Sequence, residues 1–260
     1  MNIILVMSDT SMWKPRFIED LIKSLPAGTK IVGAVLTGFG YETYGILGYL
    51  KKYFTLLGPK YFIFVSLKNT ITWLRKTILR LAGKPERLSI AGVCRIYQIP
   101  AIATNSINNY RTIQWIAEKK PDVLYSSGHQ IFSGELLSIP SKCCINRHSS
   151  LLPAYRGIYP LFWNLLNEEK QAGVSVHTME KEIDKGKVVA QKSFGIQQND
   201  TLFTLFDKCY EISVELTLEA LAKIESGNWQ PVCNGILPSY YTFPNRQQAR
   251  LFRRKGKRIL

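Results

Sequence analysis

Short apolar runs alternate along the chain with stretches in which apolar residues recur every three or four positions. The first kind fits buried strands and the second amphipathic helices. Asn2 to Met7 and Lys30 to Leu36 predict two strands, and Phe17, Leu21, Ile22 and Leu25 mark a helix between them. Leu88 to Tyr97 predicts a helix, Ala101 to Ala103 a strand after Pro100, and Tyr110 to Lys119 a second amphipathic helix. Val123 to Tyr125, Cys143 to Ile145, Ser175 to Met179 and Val188 to Phe194 predict further strands. Pro160 suits the first turn of a helix over Leu161 to Asn167. Leu202, Leu205, Phe206, Cys209, Ile212, Leu216, Ala220 and Ile224 keep the helical rhythm up to Ser226, and Gly227 is a natural stop.

Strand–helix alternation of this kind predicts an α/β fold: a Rossmann-like, mostly parallel sheet with helices on both faces. No GxGxxG occurs, which argues against a dinucleotide site. Residues 1–200 are expected to form the domain that carries the chemistry, and residues 201–260 a small C-terminal extension of one helix and a basic tail. Residues 228–245 contain Pro231, Pro238 and Pro244 and are expected to be irregular. Arg246 to Leu260 holds seven basic residues and no acid, which predicts a solvated tail or, on a second reading, a phosphate- or lipid-facing anchor.

Phe39 to Glu86 stands apart. It is aromatic, aliphatic and basic, with Glu42 as its one acid before the final residue. Ile71, Leu74, Ile78 and Leu81 share one helical face, with Arg75, Lys76 and Arg80 elsewhere on the turns. It is expected to be a helical insertion. It packs on the core as an extra helical pair, or it presents a basic amphipathic surface to a membrane or a lipid-linked substrate, or it meets nucleic acid.

The net charge of +15 points to an anionic partner: nucleic acid, a phosphorylated small molecule or acidic lipid. Five cysteines without a CxxC pair read as free, mostly buried thiols of a reducing compartment. The start MNIILVMSD lacks the basic n-region of a signal peptide, and no apolar run reaches membrane-spanning length. A cytoplasmic protein is expected, peripheral to the membrane if the insertion binds one.

Candidate chemistry gathers after Cys143. On a strand, alternate residues share a face, so Asn146 and His148 point one way and Arg147 the other. Asp184 follows on a Gly-containing turn between two strand-like runs. An amide, an imidazole and a carboxylate that converge suit acyl transfer: an oxyanion donor, a proton handler and a group that fixes the handler's tautomer. His177 on a neighbouring strand is expected to be structural, and His129 has no evident partner. Three histidines without a spaced Cys/His cluster argue against a metal.

The string Asn146-x-His148-x-Ser150-Leu151-Leu152-Pro153, followed by Tyr155-Arg156-Gly157, Gly173-Val174, His177 and Asp184-x-Gly186, resembles the folate-dependent formyltransferases. That family includes methionyl-tRNA, glycinamide ribonucleotide and amino-sugar formyltransferases. The resemblance implies 10-formyltetrahydrofolate as formyl donor, His148 as general acid/base, Asn146 as oxyanion donor, and Asp184 as proton relay that raises the pKa of His148. It implies that Gln130, Ile131 and Phe132 meet the pterin on one side and Glu180, Lys181, Glu182 and Ile183 on the other. The sequence departs from some relatives at Ile158, where they carry a polar residue, and in the charge of Glu180-Lys181-Glu182. The acceptor is expected to be a primary amine on a phosphorylated small molecule, an amino sugar on a nucleotide or lipid carrier. The alternatives are an aminoacyl-tRNA, or a vestigial site on a membrane- or RNA-binding protein.

Overall fold

The apolar runs become the strands expected of them, and most are covered on both faces. The computed structural model describes residues 1–10, 12–38, 41–128 and 130–260. In chain order the elements are β1 (Asn2–Ser8), α1 (Lys14–Ser24), β2 (Lys30–Thr37), α2 (Tyr41–Leu81), α3 (Ile90–Ile96), β3 (Ala101–Thr104) and α4 (Tyr110–Glu118). There follow β4 (Val123–Ser127), α5 (Gly134–Leu137), β5 (Cys143–His148), β6 (Arg156–Gly157), α6 (Pro160–Leu166), β7 (Gln171–Thr178) and β8 (Val188–Gly195). The chain ends with α7 (Leu202–Ser226), β9 (Tyr240–Tyr241) and α8 (Arg246–Arg254).

The main sheet has the order β3-β2-β1-β4-β5-β7-β8. The pairs from β3 to β5 are parallel, and β7 and β8 continue antiparallel. The expected α/β class with a mostly parallel sheet therefore holds. Along β1, Ile3, Leu5 and Met7 enter a core shared with α1, α3 and α7. Ile4 and Val6 enter a second core with Ile113 and Ile116 of α4 and Leu136 of α5. A strand covered on both sides has no polar face, so it reads as an unbroken apolar run.

The basic C-terminus differs from the solvated tail expected of it. Asn245 and Gln248 form a capping box at the start of α8. Phe252 is buried and stacks on Phe162 with ring centroids 4.6 Å apart. Arg253 Nη1 donates to the carbonyls of Thr55 (3.4 Å) and Leu56 (3.2 Å). Those carbonyls lie at the end of the helical stretch of α2 that Gly58 breaks, where carbonyls lack the usual intrahelical donors. Ile259 is buried too. One apolar residue per turn was enough to dock the segment, and a basic side chain supplied a cap. The irregular stretch before it does carry β9, which pairs with β6.

Helix α2 occupies the insertion and is broken at Gly45 (φ 64°) and Gly58 (φ 74°). Leu56 and Leu57 are buried in the main core, and Tyr159 donates its hydroxyl to that of Tyr53 at 2.6 Å. Buried Glu86 ties the far end down. It accepts from Ser89 Oγ (2.6 Å), Arg95 Nη2 (3.0 Å) and the Leu88 amide (2.8 Å). The packed pair expected on one reading is only partly realised, because Ile71, Leu74, Ile78 and Leu81 are exposed. Among the described residues no helix is long and apolar enough to cross a membrane.

Candidate active site

The carboxyl ends of β1, β4 and β5 open into one cleft of about 840 Å³. This is where parallel strands of an open sheet leave room for ligands. Asn146 and His148 face it from β5, and both are buried. Arg147 reaches the other way to α7, donating from Nε to Ser213 Oγ at 2.6 Å and lying 4.1 Å from the Tyr210 ring centroid.

The loop after β5 is held by hydroxyls. Ser175 Oγ donates to the Ser150 carbonyl (2.6 Å) and accepts from the Leu152 amide (3.1 Å), while Ser150 Oγ donates to the Ala154 carbonyl (2.9 Å). The loop ends with Tyr155 at φ 56°, a backbone conformation non-glycine residues seldom adopt. The Tyr155 carbonyl thereby accepts the Nε2 proton of His148 at 2.8 Å. Two residues on, Gly157 donates its amide to Asp184 Oδ2 at 2.8 Å.

Around Asp184 the site is rich in acceptors. A backbone carbonyl only accepts, so His148 carries its proton on Nε2 and turns the bare Nδ1 toward Asp184 Oδ2, 3.6 Å away. By the same logic His177 donates from Nδ1 to the Thr178 carbonyl (2.8 Å) and leaves Nε2 bare, 3.5 Å from Asp184 Oδ1. Asn146 Nδ2 donates to that Nε2 at 3.3 Å. The reverse amide orientation would set two lone pairs against each other. Asn146 Oδ1 has no partner. The His148–Asp184 gap exceeds a hydrogen bond, and a proton arriving at Nδ1 converts it into an ion pair.

Asp184 raises the pKa of His148 as the resemblance implies, but it is not the largest influence. Burial lowers its pKa and outweighs the raising effect of Asp184, so His148 is neutral at pH 7. For Asp184 burial pushes upward, but His148 and His177, each once it gains a proton on the nitrogen facing the carboxylate, and the Gly157 amide outweigh it and hold the carboxyl below the usual range. The pair rests as carboxylate and neutral imidazole, a base waiting for a proton.

Gln130, Ile131 and Phe132 line the same cleft, as do Glu180, Lys181, Glu182 and Ile183. The Gln130 side chain is engaged with the preceding loop, accepting from the Ile107 amide (2.9 Å) and donating to the Asn105 carbonyl (2.8 Å). Phe132 is largely core, whereas Ile131 and Ile183 are exposed. Glu182 pairs with Lys185. His129 lies outside the described residues. His177, expected to be structural, belongs to the Asp184 cluster; its alternation on β7 was the available signal.

Two features had no clear sequence signal. Lys14, at the start of α1, donates to the Ser127 carbonyl at 2.6 Å within the cleft. Burial and the nearby Arg147 push its pKa down to about 7. The inner face of α2 forms a wall of the cleft through Tyr53, Phe62, Val65, Asn69, Thr72 and Lys76.

A formyl transferase family model matches residues 83–221. The chain is 41% identical over 147 residues to the bifunctional polymyxin resistance protein ArnA of Wigglesworthia glossinidia brevipalpis, covering 56% of this chain and 22% of that one. It is 35% identical over 125 residues to the methionyl-tRNA formyltransferase of Caldanaerobacter subterraneus subsp. tengcongensis, covering 48% of this chain and 40% of that one. It therefore spans less than half the length of these relatives. Its fold is like that of WlaRD, a sugar 3N-formyl transferase solved in the presence of dTDP and 5-N-formyl-THF. That likeness has a TM-score of 0.56 at 15% identity and covers 93% of this chain and 69% of that one.

Proposed function

The chain belongs to the formyl transferase family, and from that premise we propose that it transfers the formyl group of 10-formyltetrahydrofolate to a primary amine. The observation that carries the reading is the acceptor-rich cluster of Asn146, His148, His177 and Asp184 at the floor of the cleft. An amine that attacks a formyl carbon must lose a proton, and His148 Nδ1 and the Asp184 carboxylate can accept it.

In this reading the amine nitrogen bonds to the formyl carbon and the carbonyl oxygen takes up negative charge. The second hydrogen of Asn146 Nδ2, beyond the one given to His177, stabilises that oxygen. Asp184 and His148 Nδ1 receive the amine proton, and the imidazolium so formed lies beside the carboxylate. The bond from the formyl carbon to N10 of the folate then breaks, and N10 takes the proton back. His177 holds Asn146 in the donating orientation. The cleft has room for two substrates, with a pterin fitting between the Gln130–Phe132 and Glu180–Ile183 loops. Lys76 offers positive charge to a phosphorylated acceptor.

An amino sugar on a nucleotide or lipid carrier is the acceptor class that fits best, supported by the sugar 3N-formyl transferase of like fold and the basic cleft wall. A second reading, an aminoacyl-tRNA, is favoured by the methionyl-tRNA relative and the net charge of +15. The test is to offer the chain 10-formyltetrahydrofolate with a panel of nucleotide-linked amino sugars, lipid-linked amino sugars and aminoacyl-tRNA. A formylated product gains one CO unit in mass while tetrahydrofolate is released. If no amine is formylated and no folate analogue binds, the reading fails.

The pH profile has a defined sign. His148 accepts a proton only when neutral, and its pKa is lowered in the fold. The acid limb of kcat/KM is expected below the ordinary histidine value of about 6.5. In Asp184→Asn the one carboxylate that raises the His148 pKa is gone, so residual activity should keep its acid limb at still lower pH. An acid limb that shifts upward in that variant would mean that another group is the base.

A further inference from the structure

The outer face of α2 is an unpartnered apolar stripe. Ile63, Leu67, Ile71, Leu74, Ile78 and Leu81 follow one another at four- and three-residue steps, which places them on one side of a helix. Each is 46–84 % exposed, and none lines the cleft. The opposite side of the same helix is the cleft wall formed by Phe62, Val65, Asn69, Thr72 and Lys76. Before the Gly58 break Ile46 and Phe54 are exposed as well. Twelve of the twenty large apolar side chains exposed among the described residues lie between Ile46 and Leu81. A contiguous patch of this kind on a folded protein marks a contact surface.

The charge around the stripe narrows the partner. No acid occurs from Thr43 to Pro85, whereas Lys51, Lys60, Lys68 and Arg75 are all exposed there. On the wheel, Lys68 and Arg75 flank the stripe and Lys60 lies in line with it. We propose that α2 docks this outer face on a bilayer surface containing anionic phospholipid, with the stripe among the acyl chains and the basic residues at the head groups. The helix lies in the plane of the membrane, consistent with the absence of a spanning segment among the described residues. A second copy of the chain is a poorer occupant. A self-complementary contact through this face sets Lys and Arg against Lys and Arg, with no acid on the helix to pair them.

This inference goes beyond formyl transfer and stands without it. If both hold, one helix has the bilayer on its outside and the cleft on its inside, and the acceptor class narrows to amino sugars on a lipid carrier.

The test is flotation of the full chain with vesicles of phosphatidylcholine alone or with one third phosphatidylglycerol. The wild type should float with the anionic vesicles at low salt and be released at high salt. Leu74→Glu/Ile78→Glu should reduce binding to anionic vesicles at least tenfold, and Lys68→Glu/Arg75→Glu should do the same there without exposing or removing apolar surface. Both pairs sit on exposed positions, so unchanged thermal melts are expected. The readout needs no substrate, so its failure is distinct from failure of the transfer reading. Three results overturn the proposal: no flotation of the wild type at low salt, flotation of both variants like wild type, or a wild-type dimer that Leu74→Glu/Ile78→Glu dissociates, which makes a second copy the occupant.

Discussion

Alanine at His148, Asn146 or Asp184 is expected to lower turnover by about a hundredfold or more in each case, with the chain still folded. Each removes a different service. His148→Ala deletes the bare Nδ1 that faces Asp184 across 3.6 Å. Asn146→Ala deletes the amide that His177 orients at 3.3 Å. Asp184→Ala deletes the carboxylate that both imidazoles and the Gly157 amide surround. Since the three act on one proton and one oxygen, the double variants should be little worse than the singles. Single-turnover assays with 10-formyltetrahydrofolate, beside thermal melts, separate lost chemistry from lost fold. Near wild-type turnover in His148→Ala would falsify the assignment of the base.

Gly186→Ala is expected to act almost as strongly from outside the reacting groups. A Cβ on Gly186 would come 1.6 Å from the Thr178 carbonyl oxygen and 2.5 Å from its carbon. Both atoms are backbone at the end of β7, so no rotamer change relieves the clash. The loop holding Asp184 must move instead. A misplacement of about 1 Å is enough to cost on the order of a hundredfold in rate, and the strain should lower stability by roughly 1–3 kcal/mol. Gly38→Ala, where a Cβ meets nothing within 4 Å, is the control and should stay within about 0.5 kcal/mol of wild type. Should Gly186→Ala keep full turnover, the tight approach of this loop to β7 is not what positions Asp184.

Of the fold, the parts governed by local pattern were legible. The alternation of β1 between two cores makes NIILVM an unbroken apolar run, and α7 starts and stops where Thr201 caps it and Gly227 leaves it at φ 68°. Small segments whose order depends on distant partners were not. The two residues of β6 pair with β9, more than eighty positions later in the chain, and α8 is ordered by Phe162 and by carbonyls of α2. No window of sequence contains those contacts.

The candidate site divides in the same way. By itself the sequence determined that Asn146 and His148 share a strand face, that an aspartate on a glycine turn follows, and which family this string resembles. Period-two alternation and turn chemistry act within a few residues, so the order of amino acids is sufficient to state them. Only the tertiary structure decided that His177 joins the cluster, because β7 pairs antiparallel with β5 and sets His177 opposite Asn146. It also decided that burial outweighs Asp184 in the pKa of His148, since desolvation is a sum over everything packed around a group. And it decided which side of α2 faces the cleft and which faces outward. A helix with apolar residues on more than one face has no preferred side until something packs against it, and here the main core takes Leu56 and Leu57 and meets Phe62 and Val65.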